Sequence, residues 1–279
     1  FQNIMDKINN DNSISQHSKT FSFASIFLPN KIKYDVYKIY QFCRLYDDSA
    51  DKDTSIPDDL YETELNKLGI NKKALEQLKI GIDSDRNFNR FIRMDDLIIY
   101  SYRVAGCVGI MMCDVLNVEN NKDKYYAIDL GIAMQITNIC RDVFEDAANK
   151  RIYIPKEIMP GDDLHSIDNQ EIFKYICRLH DFAEEYYSSA LNGIASIPLR
   201  SRFSILLALR LYQAIGRKIL SNENLFFKQT INTTLIEKLI IFLKCIFEFF
   251  FCFLFRFKKK HDSELHSCLT GLPFIHDKV

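Results

Sequence analysis

Glycine and proline are scarce in this chain, with nine glycines and six prolines among 279 residues. An all-β protein needs these residues at its many turns, whereas a chain of long helices needs few of them. Apolar residues make up 47% of the sequence, which is enough for a sizeable core. The scarcity therefore predicts an all-α fold in a single domain.

Apolar residues recur at helical spacing in several long segments. The predicted helices span residues 31–51, 61–82, 91–118, 123–147, 169–194 and 199–220. Residues 52–60 and 149–168 are predicted to be loops, because prolines and clustered polar residues interrupt the pattern there.

Charge and cysteine usage exclude several classes of protein. The formal net charge is -1, so no global field favours nucleic acid as a partner. None of the eight cysteines forms a CxxC pair, and no Cys/His group has zinc-finger spacing. We interpret them as small apolar residues in a reducing cytosol. The N-terminal residues are polar and lack the apolar core of a signal peptide, so a cytoplasmic location is expected.

The C-terminal segment at residues 235–257 is almost entirely apolar. Lys244 and Glu248 interrupt it and are spaced to pair on one helical face, so its apolar runs are too short to span a bilayer. The basic residues that follow would suit anionic lipid headgroups. We predict peripheral association with the membrane surface through residues 235–260, with a buried core or dimer helix and a transmembrane span as the alternatives.

Two polar stripes lie on otherwise apolar predicted helices. The first consists of Tyr40, Arg44, Asp47 and Asp51, which share one face. A carboxylate pair one turn apart can hold Mg²⁺, which prefers oxygen ligands and often shares them with a substrate phosphate. An arginine one turn earlier can bind a phosphate oxygen.

The second stripe is similar in composition and spacing. It consists of Gln135, Asn138, Asp142 and Asp146, with Arg141 at its edge. A single pair of aspartates at this spacing is usually only a solvated helix face. Two such stripes, each with a basic neighbour, favour a divalent-metal site for a phosphate.

Two further segments can each be interpreted as structural or as part of a functional site. His17, Ser18, Lys19 and Thr20 precede a helix, where they can cap it or bind an anion. The small residues within 100–109 allow close helix packing or leave a channel beside the helix.

Taken together, these segments resemble the squalene/phytoene synthase family, in its bacterial phytoene synthase branch. The resemblance rests on HSKTFSFASIFLP (17–29), YKIYQFCRLYDDSAD (37–51), YSYRVAGCVG (100–109) and DLGIAMQITNICRDVFEDAANKRIYIPKE (129–157), with a weaker match at 185–212. It implies an isoprenoid synthase fold with a central hydrophobic cavity in residues 1–230. Residues 231–260 then form a hydrophobic membrane-associating helix, and residues 261–279 form a tail.

The resemblance also implies roles for single residues. The implied ligands of two or three Mg²⁺ ions, with Mn²⁺ as a substitute, are Asp47, Asp51, Asn138, Asp142 and Asp146. The implied substrate contacts are His17, Ser18, Lys19, Thr20, Tyr40, Arg44, Gln135, Arg141 and Tyr212, with Phe21, Val104, Val108 and Gly109 lining the channel. Tyr40 and Arg44 are expected to take part in catalysis beside the four aspartates.

The implied reaction is the head-to-head (1′-1) condensation of two prenyl diphosphates, geranylgeranyl or farnesyl. It passes through a cyclopropylcarbinyl diphosphate to phytoene or a phytoene-type product, as in carotenoid biosynthesis. No NADPH is expected, because the sequence has no GxGxxG-like dinucleotide motif. The alternatives are a squalene or presqualene diphosphate synthase, a non-catalytic membrane-associated assembly or scaffold protein, and an isoprenoid synthase of different chemistry. The oligomeric state stays open.

The sequence departs from the family pattern in two places. Phe144 stands where the family usually has glycine. The segment between Asp51 and Tyr100 is also shorter than the resemblance leads one to expect.

Overall fold

The structure is a computed structural model, and it describes residues 19–51, 58–250 and 260–275. Among these residues every regular element is helical, which confirms the predicted all-α class. The helices are α1 (Lys19–Ser25), α2 (Asn30–Asp51), α3 (Asp58–Lys67), α4 (Lys72–Asp83), α5 (Met94–Ser101), α6 (Cys107–Val115), α7 (Asn121–Ala148), α8 (Asn169–Gly193), α9 (Leu199–Ser221), α10 (Glu223–Phe226) and α11 (Leu235–Glu248). Short 3₁₀ turns lie at Leu164–Ser166, Ile194–Ser196 and Ser263–Leu269.

The single helix predicted for residues 61–82 is wrong, because two helices occupy this stretch. α3 ends at Lys67, and Gly69 follows with φ at 73°, a conformation that glycine adopts at little cost. Asn71 then caps α4 by accepting a hydrogen bond from the backbone N–H of Lys73 at 2.9 Å. α3 also begins at Asp58, inside the predicted loop at 52–60.

A π-helical turn at Tyr102–Gly106 joins α5 to α6, so that Met94–Val115 forms one continuous rod. Within the described ranges this rod is the segment long and apolar enough to cross a membrane, but 56% of it is buried inside the protein. We therefore interpret it as a core helix. It ends before Asn117, whose φ of 57° is incompatible with a continued helix.

α7 is the central helix, and it packs against α8, α9 and the α5–α6 rod. Ile128, Ile132 and Ile136 of α7 are completely buried. Glycines allow the close approach to the rod: a Cβ on Gly131 would overlap the backbone carbonyl of Ala105, and one on Gly109 would overlap that of Ala127. Close packing of α7 thus depends on two positions that lack a side chain.

The C-terminal elements pack on the outside of this core. α11 lies against α9, and the Glu248 carboxylate binds Arg210 of α9, with the Arg210 Nε donating at 2.9 Å. The predicted pairing of Glu248 with Lys244 is therefore wrong, because a long-range partner takes the carboxylate. Residues 261–275, the described part of the segment predicted to be a tail, cover α7 and α8, with His266 and Leu269 buried.

We expect Gly131→Ala to destabilise the protein. Replacing glycine inside a helix normally stabilises it by about 0.5–1 kcal/mol. Here the added Cβ meets fixed backbone, and such overpacking costs about 1–3 kcal/mol, so the net effect is a loss. Thermal unfolding measures it. The control is Gly161→Ala, whose Cβ would meet only the Ile167 side chain; equal effects of the two changes would contradict the packing argument.

Candidate active site

Two adjoining cavities lie between α2, the α5–α6 rod, α7 and α9. One is apolar and about 320 Å³ in volume, and the other is polar and about 790 Å³. Residues that line both cavities mark the junction: Tyr40, Cys43, Val104, Gln135, Asn138 and Tyr212.

The apolar cavity contains all four residues that the resemblance assigns to the channel. These are Phe21, Val104, Val108 and Gly109. The Phe21 ring stacks on Tyr40 with 5.5 Å between ring centroids, which joins α1 to the junction. Because Gly109 both touches α7 and lines the cavity, the small residues of this segment serve packing and channel together.

The polar cavity brings together polar side chains from four helices. The predicted site residues that line it are Thr20, Tyr40, Arg44, Asp47, Gln135, Asn138, Arg141, Asp142 and Tyr212. They come from α1, α2, α7 and α9, so the two polar stripes face one shared space.

Four predicted residues have side chains outside the described part of the structure. His17 and Ser18 lie before it, and for Lys19 and Asp51 only the backbone is described. Asp146 lies one turn beyond Asp142 on α7 and is not among the residues that line the polar cavity.

Asp47 and Asp142, the two predicted metal ligands among the aspartates that line the polar cavity, each have an arginine beside them. Arg44 contacts the carboxylates of Asp47 at 3.4 Å and Asp48 at 3.0 Å. Arg141 donates two hydrogen bonds to its neighbour Asp142, from Nε at 2.8 Å and from Nη2 at 2.5 Å. Both guanidinium groups are thus held at the cavity wall, within reach of an anion that replaces the carboxylate.

The carboxylates at the end of α7 are electrostatically crowded. Burial, the nearby charge of Asp142 and that of Glu145 raise the pKa of Asp146 to about 7. Asn138 lies one turn before Asp142 and lines the polar cavity, and its buried Oδ1 has no hydrogen-bond partner among the described residues. Oxygen ligands, excess negative charge and an unsatisfied amide oxygen together fit a hard divalent cation such as Mg²⁺ or Mn²⁺.

The structure adds cavity residues that the sequence patterns did not indicate. They are Asp85, Thr230, Asn232, Thr233 and Lys238. Asp85 accepts hydrogen bonds from Tyr100 at 2.8 Å and Tyr153 at 3.0 Å. A lysine in the first turn of an apolar helix was the available signal for Lys238, whereas no local pattern marked Asp85.

Comparison with known proteins identifies the family. The squalene/phytoene synthase family matches residues 61–237. The chain belongs to the squalene/phytoene synthase family. It is 31% identical to the 15-cis-phytoene synthase of Paracoccus sp. (strain N81106), over 81% of this chain and 86% of that protein. It is 29% identical to the 15-cis-phytoene synthase of Enterobacter agglomerans, over 80% and 89%.

Solved structures of squalene/phytoene synthase relatives share the fold. A dehydrosqualene synthase in complex with a ligand superposes with a TM-score of 0.70 at 23% identity, covering 88% of this chain and 97% of that one. YisP from Bacillus subtilis gives a TM-score of 0.69 at 18% identity, covering 82% and 92%. The arrangement of helices around the two cavities is therefore the squalene synthase-like isoprenoid synthase fold.

The departure from the family pattern at Phe144 is accommodated locally. Its ring is 36% exposed and packs against Phe226 and Phe227, with centroids 5.6 and 5.7 Å away. Phe173 completes this aromatic cluster from α8. The larger side chain points to α10 and is not among the residues that line either cavity.

We expect Asp146→Asn to stabilise the metal-free protein at pH 8 more than at pH 5. The pKa of Asp146 is higher in the folded protein than in the unfolded chain, so the folded state binds more protons between about pH 4 and pH 7. Its ionisation therefore costs stability as the pH rises, on the order of 2 kcal/mol after solvent screening.

Thermal unfolding in EDTA at the two pH values measures this difference. The exposed Asp181, changed to Asn, serves as the control and should give the same small effect at both. An equal response of Asp146→Asn at pH 5 and pH 8 would contradict the crowding of carboxylates.

Proposed function

We propose that this protein joins two prenyl diphosphates head to head, through a cyclopropylcarbinyl diphosphate, to a phytoene-type hydrocarbon with release of diphosphate. The observation that carries the proposal is the junction of the two cavities. A charged compartment suits a diphosphate, an apolar compartment suits an isoprenoid chain, and Tyr40, Gln135 and Tyr212 lie where they meet. Phytoene synthases among the relatives support the type of product.

The acidic residues would hold the metal. Asp47, Asp51, Asn138, Asp142 and Asp146 are the proposed ligands of Mg²⁺. When bound, Mg²⁺ neutralises the charge that develops on the departing diphosphate.

The remaining residues bind and orient the substrate. Arg44 and Arg141, which contact Asp47 and Asp142 in the structure, would bind diphosphate oxygens once those carboxylates hold a metal ion. Burial raises the pKa of Tyr40 to about 12, so its hydroxyl stays protonated and is available to donate a hydrogen bond to the substrate at the junction. The apolar wall, which includes Val108, Leu130 and Met134, excludes water from the allylic cation and aligns the second double bond. The last step of the proposed reaction is the loss of a proton, so no hydride donor such as NADPH is required.

Incubation of the purified protein with Mg²⁺ and labelled geranylgeranyl or farnesyl diphosphate tests the reaction. We expect release of diphosphate and a hydrocarbon of twice the donor's carbon number, identified by mass spectrometry. Asp142→Asn should lower kcat by about 10²–10³-fold, because it removes charge from the diphosphate end. Asp181→Asn, on the outside of α8, should leave it unchanged. Folded protein without turnover on either donor would favour the non-catalytic alternative.

We also propose that the protein is cytoplasmic and docks on a membrane surface through α11. Seven apolar side chains of this helix and its extension are 48–71% exposed, and together we call them the apolar patch: Leu235, Ile236, Leu239, Ile240, Leu243, Phe247 and Phe250. Lys238 and Glu248 face the protein, since Lys238 is buried and Glu248 binds Arg210, whereas Lys244 is exposed beside the apolar patch. On the side that faces the protein, the Phe242 ring of α11 packs against the rings of Phe27 and Phe203. An inverted helix of this kind suits the boundary between lipid headgroups and acyl chains.

Co-sedimentation with vesicles containing anionic lipid tests the docking. Changing Leu239, Leu243 and Phe247 together to Gln should lower the bound fraction by at least about tenfold, because each buried side chain contributes about 1.5–3 kcal/mol. The control changes Ile80 and Ile92 to Gln, since both are exposed but lie outside α11. Equal binding of the triple variant and the unchanged protein would contradict membrane docking through the apolar patch.

A further inference from the structure

A second group of potential metal ligands lies on α7, outside both cavities. Asp129 is completely buried, and two histidines from the C-terminal segment approach it with the same ring nitrogen. The Nε2 atom of His261 is 2.8 Å from Oδ2, and that of His266 is 2.7 Å from Oδ1. The three ligand atoms all lie within 4.8 Å of one another.

The surroundings of this cluster hold its side chains in place. Ser189 of α8 donates a hydrogen bond to Oδ2 of Asp129 at 2.6 Å. The rings of Tyr125 and Tyr126 pack against His261 at 5.4 and 5.2 Å. Hydrogen bonds from the two imidazoles keep the pKa of Asp129 below its ordinary value although burial alone would raise it. The carboxylate is therefore available as an anionic ligand.

We propose that Asp129, His261 and His266 bind a Zn²⁺ ion. Two imidazole nitrogens and one carboxylate form a borderline donor set that suits zinc, whereas Mg²⁺ prefers oxygen alone. Zinc bonds of about 2.0–2.1 Å in a tetrahedral arrangement set ligand atoms about 3.3 Å apart, so binding would lengthen each histidine–aspartate contact by roughly half an ångström. Each Nε2 gives up its proton to bind the metal, and a water or the Ser189 hydroxyl is available for the fourth position.

The site would tie the C-terminal segment to the central helix. Two hydrogen bonds already fix this segment, from the Tyr186 hydroxyl to the Leu265 carbonyl at 2.8 Å and from the Tyr102 hydroxyl to the Pro273 carbonyl at 2.6 Å. Asp129 lies between Ala127 and Leu130, which line the apolar cavity. Zinc at this position would hold a wall of that cavity from behind, in a role separate from the cation at the diphosphate end.

Metal analysis of the full, untagged chain tests the proposal. After reconstitution with ZnCl₂ and exhaustive dialysis, inductively coupled plasma mass spectrometry should find roughly one zinc per chain. Co²⁺ in its place should give visible absorption bands of a low-symmetry site. Removal of zinc should lower Tm by at least about 5 °C, and Zn²⁺ but not Mg²⁺ should restore it.

His261→Gln and His266→Gln should each abolish stoichiometric zinc, while the exposed His165, changed to Gln, should retain it. Asp142→Asn should also retain zinc, which separates this site from the proposed catalytic metal. Less than about a tenth of an equivalent of zinc in the reconstituted unchanged protein would overturn the proposal, whether or not the variants fold. The three side chains would then be a hydrogen-bonded cluster only.

Discussion

Repulsion among carboxylates at the end of α7 is the constraint on which the functional part of this structure depends. Asp142, Glu145 and Asp146 lie within little more than one helical turn, and partial burial of Asp142 and Asp146 limits the screening of their charges by water, although Glu145 is exposed. The charges stay together because the preceding turns of α7 are anchored in the core, where Gly131 lets the helix touch its neighbour. The core therefore sustains an arrangement that the local electrostatics oppose, and the proposed cation would lower that repulsion.

The sequence alone could predict the features that depend on the helical spacing of polar and apolar residues. The stripes on α2 and α7 follow from helical spacing, and the family resemblance predicts that both stripes face one cavity. The single helix at 61–82 failed because Gly69 and Asn71, a pair of turn residues inside an apolar pattern, carry more weight than the pattern itself. The family resemblance gave the reaction type, but it could not give the position of side chains that approach from distant parts of the chain.

Several contacts in and around the site are of that distant kind. Asp85 meets Tyr153 across 68 positions of sequence, and Asp129 meets His266 across 137. Sequence motifs for zinc sites consist of closely spaced cysteines and histidines. They therefore do not detect a histidine pair whose third partner, Asp129, lies far away in the sequence. The Glu248–Arg210 pair escaped prediction for a related reason. Helical spacing offered Lys244 as a local partner of Glu248, whereas Arg210 lies on another helix.

The inverted polarity of α11 links two surfaces of the protein. One side of this helix contributes Lys238 to the polar cavity, and the other side carries the apolar patch. A movement of α11 towards or away from the core would therefore change the lipid-facing surface and the wall of the polar cavity at the same time. Under the proposed membrane docking, contact with a bilayer and binding of a diphosphate would therefore be mechanically coupled through this one helix. The Arg210–Glu248 pair fastens α11 to α9, the helix that carries Tyr212, and would carry such a movement to the junction of the cavities.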